Sequence, residues 1–169
     1  RQIQGFLMNR RGFTLPEVII VLAIIGILSA LAVPDLSAFT HRLRLETVVR
    51  GVATDLREMK MRAALERSDY TIAFDPANNL YDLPGRRLTL PAGLRFGFGP
   101  GVLGPPSNPV QTPDADGVTF PSNRVTFYSQ GSNSLGTIYL FNDENRTMAI
   151  SLSITGRVKI WQWTGEKWI

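Results

Sequence analysis

The sequence contains no cysteine and only one histidine, and both absences exclude kinds of site. Without cysteine the chain has no disulfide framework, no thiolate metal site, no cysteine nucleophile and no lipid anchor carried on a thiol. His41 lacks a second imidazole for a metal site and lacks partners for a catalytic triad, so a surface histidine is the simpler interpretation. We therefore predict a protein that is not an enzyme and that has no cofactor and no metal.

Ionisable residues are also scarce in one long segment. From Phe13 to Val33 the chain has 21 residues and a single charged side chain, Glu17. As a helix this segment would be roughly 32 Å long, close to the ~30 Å hydrocarbon core of a bilayer. Arg10 and Arg11 come just before it, so the positive-inside rule predicts a cytoplasmic N-terminus and a remainder that crosses the membrane.

A second interpretation of the same segment is a secretory signal. Ala30-Leu31-Ala32 fits the small-x-small pattern of a signal-peptidase site, which would release the chain after Ala32. The apolar run is longer than the usual h-region of about 7–15 residues, and a helical pattern continues beyond the supposed cut. A membrane helix that is retained explains both observations better.

The formal charge of +4 comes largely from the start of the chain. Of the 18 positive residues, Arg1, Arg10 and Arg11 precede the apolar segment, and without them 15 positive residues face 14 acidic ones. The net charge of the remaining chain is then close to +1, which is a weak electrostatic basis for nucleic-acid binding by the whole protein.

Glu17 is the unusual residue of the apolar segment. A carboxylate at the centre of a membrane helix costs about 2.5–3.5 kcal/mol on insertion scales, and somewhat less near the edge, where Glu17 lies. No Lys, Arg or His within the segment can pair with it. Its partner must come from another chain or be a group that the sequence does not display; the alternative is a side chain that snorkels to the interface.

The junction Arg11-Gly12-Phe13-Thr14-Leu15-Pro16-Glu17, followed by the apolar run, resembles the leader junction of type IV pilins and type II secretion pseudopilins. The resemblance implies that a prepilin peptidase cuts between Gly12 and Phe13 and that Phe13 is then N-methylated. It also implies that Phe13 and Glu17 act in assembly, with Glu17 pairing with the N-terminal amine of a neighbouring subunit. Short basic leaders in this family make Met8 an alternative start to Arg1.

The segment after the apolar run has a helical repeat. Apolar residues recur every three or four positions, which predicts one face packed on a core, with charged residues on the other side. Pro34 and Gly26 should loosen the helix, and the family often has Pro and Gly at such positions. The predicted buried stripe comprises Leu36, Phe39, Leu43, Val49, Val52, Leu56, Met59 and Ala63; the predicted outer side comprises Arg42, Arg44, Arg50, Asp55, Arg57, Lys60, Arg62 and Glu66.

From Tyr70 onward the hydrophobic period becomes two, which predicts short strands of an antiparallel sandwich. Alternation is visible in 70–74, 125–127, 138–141, 148–154 and 157–163, with turns at 142–146 and at Thr155-Gly156. Residues 97–117 are rich in Pro and Gly and predict a long surface loop, either a recognition loop or a spacer. Asp114, Asp116 and Gly117 in this loop form a fragment of a calcium motif whose further ligands are missing, so turn chemistry is the simpler interpretation.

The last ~45 residues, including Gly136-Thr137-Ile138-Tyr139-Leu140 and Gly156-Arg157-Val158, resemble the GspH/FimT branch of this family. That resemblance implies a minor pseudopilin of a type II secretion system; the alternative is a minor pilin of a type IV pilus.

The predicted last strand places Arg157, Lys159, Trp161 and Trp163 on one face, and cations mixed with aromatics are typical of single-strand nucleic-acid binding. Some FimT-like pilins bind DNA through a Gly-Arg-x-Arg motif, and here the last position of that motif is Lys159, which offers only a point charge. The alternative is that the tryptophans pack on C-terminal residues or on a neighbouring subunit, and nucleic acid is the less favoured partner.

Together these features predict an α+β protein with a pilin-like fold. It would comprise a leader (1–12), a transmembrane and assembly half of one helix (13–34), an amphipathic half (35–68) and a periplasmic β-rich head (69–169). The resemblance implies that its partners are other pilin-like subunits, the prepilin peptidase and inner-membrane lipid.

Overall fold

The computed structural model describes residues 13–104 and 113–169, and within these it describes every side chain except those of 30–39 and 41. The predicted leader with its cut site at Gly12, the side chains of Pro34 and His41, and the middle of the Pro/Gly-rich loop therefore lie outside the described residues. The chain divides into two compact units, with the boundary between Phe39 and Thr40.

The first unit contains the N-terminal part of α1, a helix that runs from Leu15 to Glu66. All described side chains of residues 13–29 are exposed, including Phe13 at 81% and Leu15 at 75%. The helical assignment continues through Gly26 and Pro34, and the predicted loosening at these residues stays a prediction. Among the residues that the structure describes, no helix combines the length and the apolar character needed to cross a membrane.

The second unit begins with the rest of α1, and its buried face differs from the prediction at Leu43, Leu45, Ala53 and Asp55. The side chains of Leu36 and Phe39, also predicted in the stripe, lie outside the described residues. Leu45 is buried, whereas Leu43 is 44% exposed. Leu45 lies one helical repeat of four residues before the buried Val49, while Leu43 falls off that face. Asp55, predicted on the charged side, is only 8% exposed, because side chains from the sheet satisfy it. The stripe as observed comprises Leu45, Val49, Val52, Ala53, Leu56, Met59 and Ala63.

In the part of the chain that the structure describes, eight strands follow α1 in two antiparallel sheets. The first sheet has the order β3-β2-β1-β5 and the second the order β4-β6-β7-β8. Two short 3₁₀ turns, Pro76–Asn78 and Pro121–Asn123, lie between strands. The strands are β1 (Tyr70–Asp75), β2 (Leu80–Leu83), β3 (Arg86–Thr89), β4 (Leu94–Phe96), β5 (Arg124–Phe127), β6 (Gly136–Asn142), β7 (Thr147–Leu152) and β8 (Val158–Gln162).

One hydrophobic core joins α1 to both sheets. Leu56 of the helix, Ile72 and Val125 of the first sheet, and Ile138 and Ile150 of the second are all at most 1% exposed and belong to the same cluster. The predicted α+β class is confirmed: a helix packs on antiparallel sheets. The predicted extent of β7 was wrong at its end, because Ile154 lies beyond the strand and is 67% exposed.

The ends of the Pro/Gly-rich loop meet beside β6, on the side of that strand where β4 pairs with it. Gly117 and Gly97 both have positive φ, and a Cβ on Gly117 would lie 2.3 Å from the backbone nitrogen of Gly97. Gly97 donates its N–H to Tyr139 and Gly117 accepts from Tyr139, at 3.0 and 2.7 Å. In its described parts the loop has no helix or strand, as predicted, and Val102 within it is buried.

Candidate functional site

The N-terminal site is built by the first turn of α1. Thr14, just before the helix, accepts backbone hydrogen bonds from Glu17 (3.0 Å) and Val18 (3.2 Å). The Glu17 side chain folds back so that Oε2 accepts from the Thr14 backbone N–H at 3.5 Å. Thr-x-x-Glu is the capping-box pattern, and a carboxylate in the first turn is also stabilised by the helix dipole. This local donor is the group that the sequence interpretation missed, although the motif was visible.

The contact to Thr14 satisfies only a small part of the Glu17 carboxylate. Its length, 3.5 Å, is at the outer limit for a hydrogen bond, and an ionised carboxylate offers about four acceptor sites. Within the described side chains of the first unit there is no cation, and the neighbours along the helix are exposed apolar residues. The site is therefore an anion at the start of an uncovered apolar helix, with acceptor capacity left for a donor from elsewhere.

A second candidate surface lies on the outer face of β8. Lys159 and Trp161 are in register with Ser151 and Ala149 of β7, while Val158 and Ile160 pack on the core side. The predicted alternation of β8 is thus present, with Arg157 exposed in the turn just before the strand.

The aromatic residues of this surface are held by internal contacts. Trp161 donates its indole N–H to Ser151 Oγ at 2.8 Å, and the Lys159 ammonium lies 5.2 Å from the centre of the Trp161 ring. Trp163 packs edge-on against Trp168, with 5.2 Å between ring centroids. Trp163 therefore packs on a C-terminal residue, and of the four predicted side chains the structure brings Lys159 and Trp161 into direct contact.

Two cations from α1 reach the same hairpin, and the sequence interpretation did not include them. Lys60 Nζ donates to the carbonyls of Thr155 (3.0 Å) and Gly156 (3.1 Å), and Arg57 Nη2 donates to the carbonyl of Val158 (3.4 Å). Gly156 has φ +72°, and a Cβ there would lie 2.5 Å from Lys60 Nζ. Glycine at this position thus permits both the turn and the close approach of the lysine.

The two aspartates of the Pro/Gly-rich loop serve the turn that contains them. Asp116 accepts from the Val118 N–H at 3.1 Å and from the Asn123 side-chain amide at 2.7 Å. Asp114 is exposed and accepts the Gly117 N–H through its carbonyl at 2.8 Å. Within the described parts of the chain, no group of three acidic, histidine or cysteine side chains is placed to hold a metal ion.

Comparison with known proteins finds one matching family, several curated relatives and two similar solved structures. The family described as the prokaryotic N-terminal methylation motif matches residues 7–33. Two fimbrial proteins of Pseudomonas aeruginosa are each 36% identical over 81 residues, which is 48% of this chain and 52% of theirs. Pilin-like protein PilA1 of Thermus thermophilus is 43% identical over 56 residues, covering 33% of this chain and 35% of PilA1. The chain thus spans about half the length, or less, of the curated relatives it matches.

Among solved structures, the minor pseudopilin EpsH from the type 2 secretion system of Vibrio cholerae has a TM-score of 0.49 at 14% identity, covering 69% of this chain and 95% of EpsH. A second structure of EpsH gives a TM-score of 0.45 at 15% identity, covering 69% of this chain and 92% of that one.

Proposed function

We propose that this chain, which is a type IV pilin-like protein, is a structural subunit of a filament, and specifically a minor pseudopilin of a type II secretion system. Its N-terminal methylation motif and its pilin relatives support the family. The resemblance of its last strands to the GspH/FimT branch supports the minor, secretion-related role. In this proposal the prepilin peptidase cuts after Gly12 and methylates Phe13, the helix holds the chain in the inner membrane until assembly, and the head lies in the periplasm.

The observation that carries the proposal is the environment of Glu17. It is the one charged side chain among the exposed residues 13–29, and a long N–H contact from its own helix start is its sole hydrogen bond there. A cation at about 4 Å would return on the order of 4 kcal/mol at an effective dielectric of about 20. Lateral assembly brings such a cation, the amine of a neighbouring subunit, and at the same time covers the exposed apolar side chains.

Substitutions of Glu17 separate its role as a helix cap from its role in docking a neighbouring subunit. Glu17→Leu should leave the chain in the membrane and abolish its association with partner subunits, measured by pull-down from detergent-solubilised membranes. Glu17→Gln keeps an acceptor oxygen for the Thr14 N–H but loses the charge, so we expect it to behave like Glu17→Leu. Glu17→Asp retains the charge and is the matched control, with partial association expected. If Glu17→Gln associates normally, electrostatic docking is wrong and the cap alone explains the glutamate.

A separate experiment distinguishes a type II secretion system from a type IV pilus. In a strain that lacks this chain, failure to secrete proteins into the medium with pili still present supports the pseudopilin. Loss of pili with secretion intact would contradict it and would favour the type IV pilus.

The second candidate function is a minor pilin that binds nucleic acid, and the basic hairpin favours it. Arg157 and Lys159 are exposed, and within the described residues neither has a carboxylate at ion-pair distance. Gel-shift titration of the full chain in detergent with single-stranded DNA tests this function. A shift that weakens with salt and is lost in Arg157→Ala and Lys159→Ala supports it, whereas no binding at low salt rejects it.

A further inference from the structure

Four cations of the second unit lie where α1 meets the β7–β8 hairpin. Arg57 and Lys60 bond to backbone carbonyls between Thr155 and Val158, and Arg157 and Lys159 flank Val158 in the chain. Among the residues that the structure describes, none of these four cations forms an ion pair. By contrast, Arg62, further along the same helix, is paired with Glu58 at 2.9 Å.

These contacts give the two helix cations different roles. Arg57 is exposed, and its single bond to the hairpin, 3.4 Å long, leaves the other N–H groups of the guanidinium free. Lys60 is half-buried, and its ammonium is engaged by two carbonyls of the turn that precedes β8. Arg57 is thus available to an external anion, while Lys60 fixes the turn that presents Arg157.

We infer that Arg57 is a direct contact of the same polyanion-binding surface as Arg157 and Lys159, and that Lys60 is a positioning residue for it. The surface is then built jointly by helix and hairpin, and its ligand is the phosphate backbone of single-stranded nucleic acid. Three unpaired cations can contact successive phosphates, and the half-buried ring of Trp161 lies beside one of them, Lys159. This inference rests on the second candidate function and assigns its contacts.

The test uses the full chain in detergent micelles and a fluorescent single-stranded oligothymidine, with binding followed by fluorescence anisotropy at several salt concentrations. Arg57→Ala should weaken binding about three- to tenfold and reduce the slope of log affinity against log salt by about 0.7, the value for one phosphate contact on a single strand. Arg62→Ala is the matched control on the same helix, and we expect it to change neither quantity. Tryptophan fluorescence of each variant checks that the hairpin is folded.

Lys60 is tested by a pair of substitutions. Lys60→Met removes the donor and should weaken binding without changing the salt slope, because Lys60 contacts carbonyls rather than phosphate. Lys60→Gln retains an N–H donor and should restore much of the affinity. A fall in the slope for Lys60→Met, or no loss of affinity, would overturn the positioning role.

The remaining outcomes separate this inference from the function on which it rests. If the wild-type chain does not bind the oligonucleotide, the second candidate function fails and the inference fails with it. If the wild type binds and Arg157→Ala abolishes binding while Arg57→Ala leaves it unchanged, the function stands and the contribution of the helix is refuted.

Discussion

A polar cluster that joins α1 to the first sheet makes the sharpest stability prediction. The buried Tyr81 hydroxyl donates to Asp55 Oδ2 at 2.6 Å, and Arg86 Nη2 donates to Asp55 Oδ1 at 2.8 Å. Burial, and then the hydrogen bond to Asp55, raise the pKa of Tyr81 above its ordinary value. The Asp55 carboxyl group is therefore buried and accepts from two donors, one on β2 and one on β3.

The size of the effect follows from what each substitution leaves behind. Tyr81→Phe removes one hydrogen bond to a charged group, worth about 1.5–3 kcal/mol. Asp55→Ala loses both bonds and leaves the Tyr81 hydroxyl buried without an acceptor. Breaking a fully buried ion pair costs about 3–5 kcal/mol, but the Arg86 side chain is 53% exposed and stays hydrated. We therefore expect about 2–4 kcal/mol for Asp55→Ala, with the larger part from the tyrosine.

Urea unfolding of the full chain in detergent, followed by tryptophan fluorescence, measures these losses. A double-mutant cycle of Asp55→Ala with Tyr81→Phe should give a coupling free energy of at least about 1 kcal/mol. The matched control is Asp82→Ala, which breaks the ion pair between Asp82 and Arg87. Their side chains are 39% and 69% exposed, so this substitution should cost clearly less than Asp55→Ala. If Asp55→Ala costs no more than Asp82→Ala, burial does not strengthen this cluster and the reasoning is wrong.

Three further predictions concern backbone space and pH. Gly117→Ala should destabilise the head by about 3 kcal/mol, because the added Cβ meets the Gly97 backbone at 2.3 Å and φ is +76°; Gly85→Ala, with φ +79° and no neighbour within 4 Å, should cost only about 1–2 kcal/mol in the same urea assay. Gly51→Ala should stabilise by roughly 1 kcal/mol, since this exposed helical glycine has open space around it; a lower thermal midpoint would contradict this. Because the raised pKa of Tyr81 means that the folded state binds the phenolic proton more tightly than the unfolded chain, stability should be fully present below about pH 10 and should fall above it. Tyr81→Phe should flatten that decline in urea titrations at alkaline pH.

The long periodic elements could be predicted from the sequence because their burial pattern follows simple repeats. The strand predicted at 148–154 has strict alternation, and the structure shows β7 at Thr147–Leu152. Its end was misjudged, since Gly156 donates to the Ser153 carbonyl and turns the chain before Ile154 can continue the strand. Local turn geometry, rather than hydrophobic pattern, ended the element.

Strands β2, β3 and β4 could not be predicted by alternation. They are three or four residues long, and Arg86, Arg87 and Asp82 interrupt any apolar repeat. Their pairing depends on contacts with β1 and β6, so the information that forms them is spread across the chain.

Charged residues on α1 show the same limit of sequence reasoning. Helical spacing places Asp55 on the buried face, three residues after Val52 and four before Met59. The pattern does not show what satisfies a carboxyl group there, because its two partners lie 26 and 31 residues further along. Arg57 and Lys60 meet a hairpin 95 to 101 residues away. The contacts of Asp55 and those of the two helix cations both depend on the fold. Arg157 and Lys159 could be predicted as one surface because strand alternation places them on the same face.

In the proposed assembly Glu17 is both a helix cap and a docking group, and the geometry of the cap is compatible with both roles. In the cap, Oε2 of Glu17 accepts from one neutral donor, the Thr14 N–H, at 3.5 Å. This contact orients the carboxylate towards the N-terminal end of α1. Because the donor is neutral, the charge of the carboxylate stays uncompensated. A cleaved chain beginning at Phe13 would carry its positive amine at the same end of the helix, next to Thr14. In the proposed assembly, the amine of a neighbouring subunit is the donor for the remaining acceptor capacity of the Glu17 carboxylate. On this reasoning Thr14 is part of the docking site, because it fixes where the negative charge is presented.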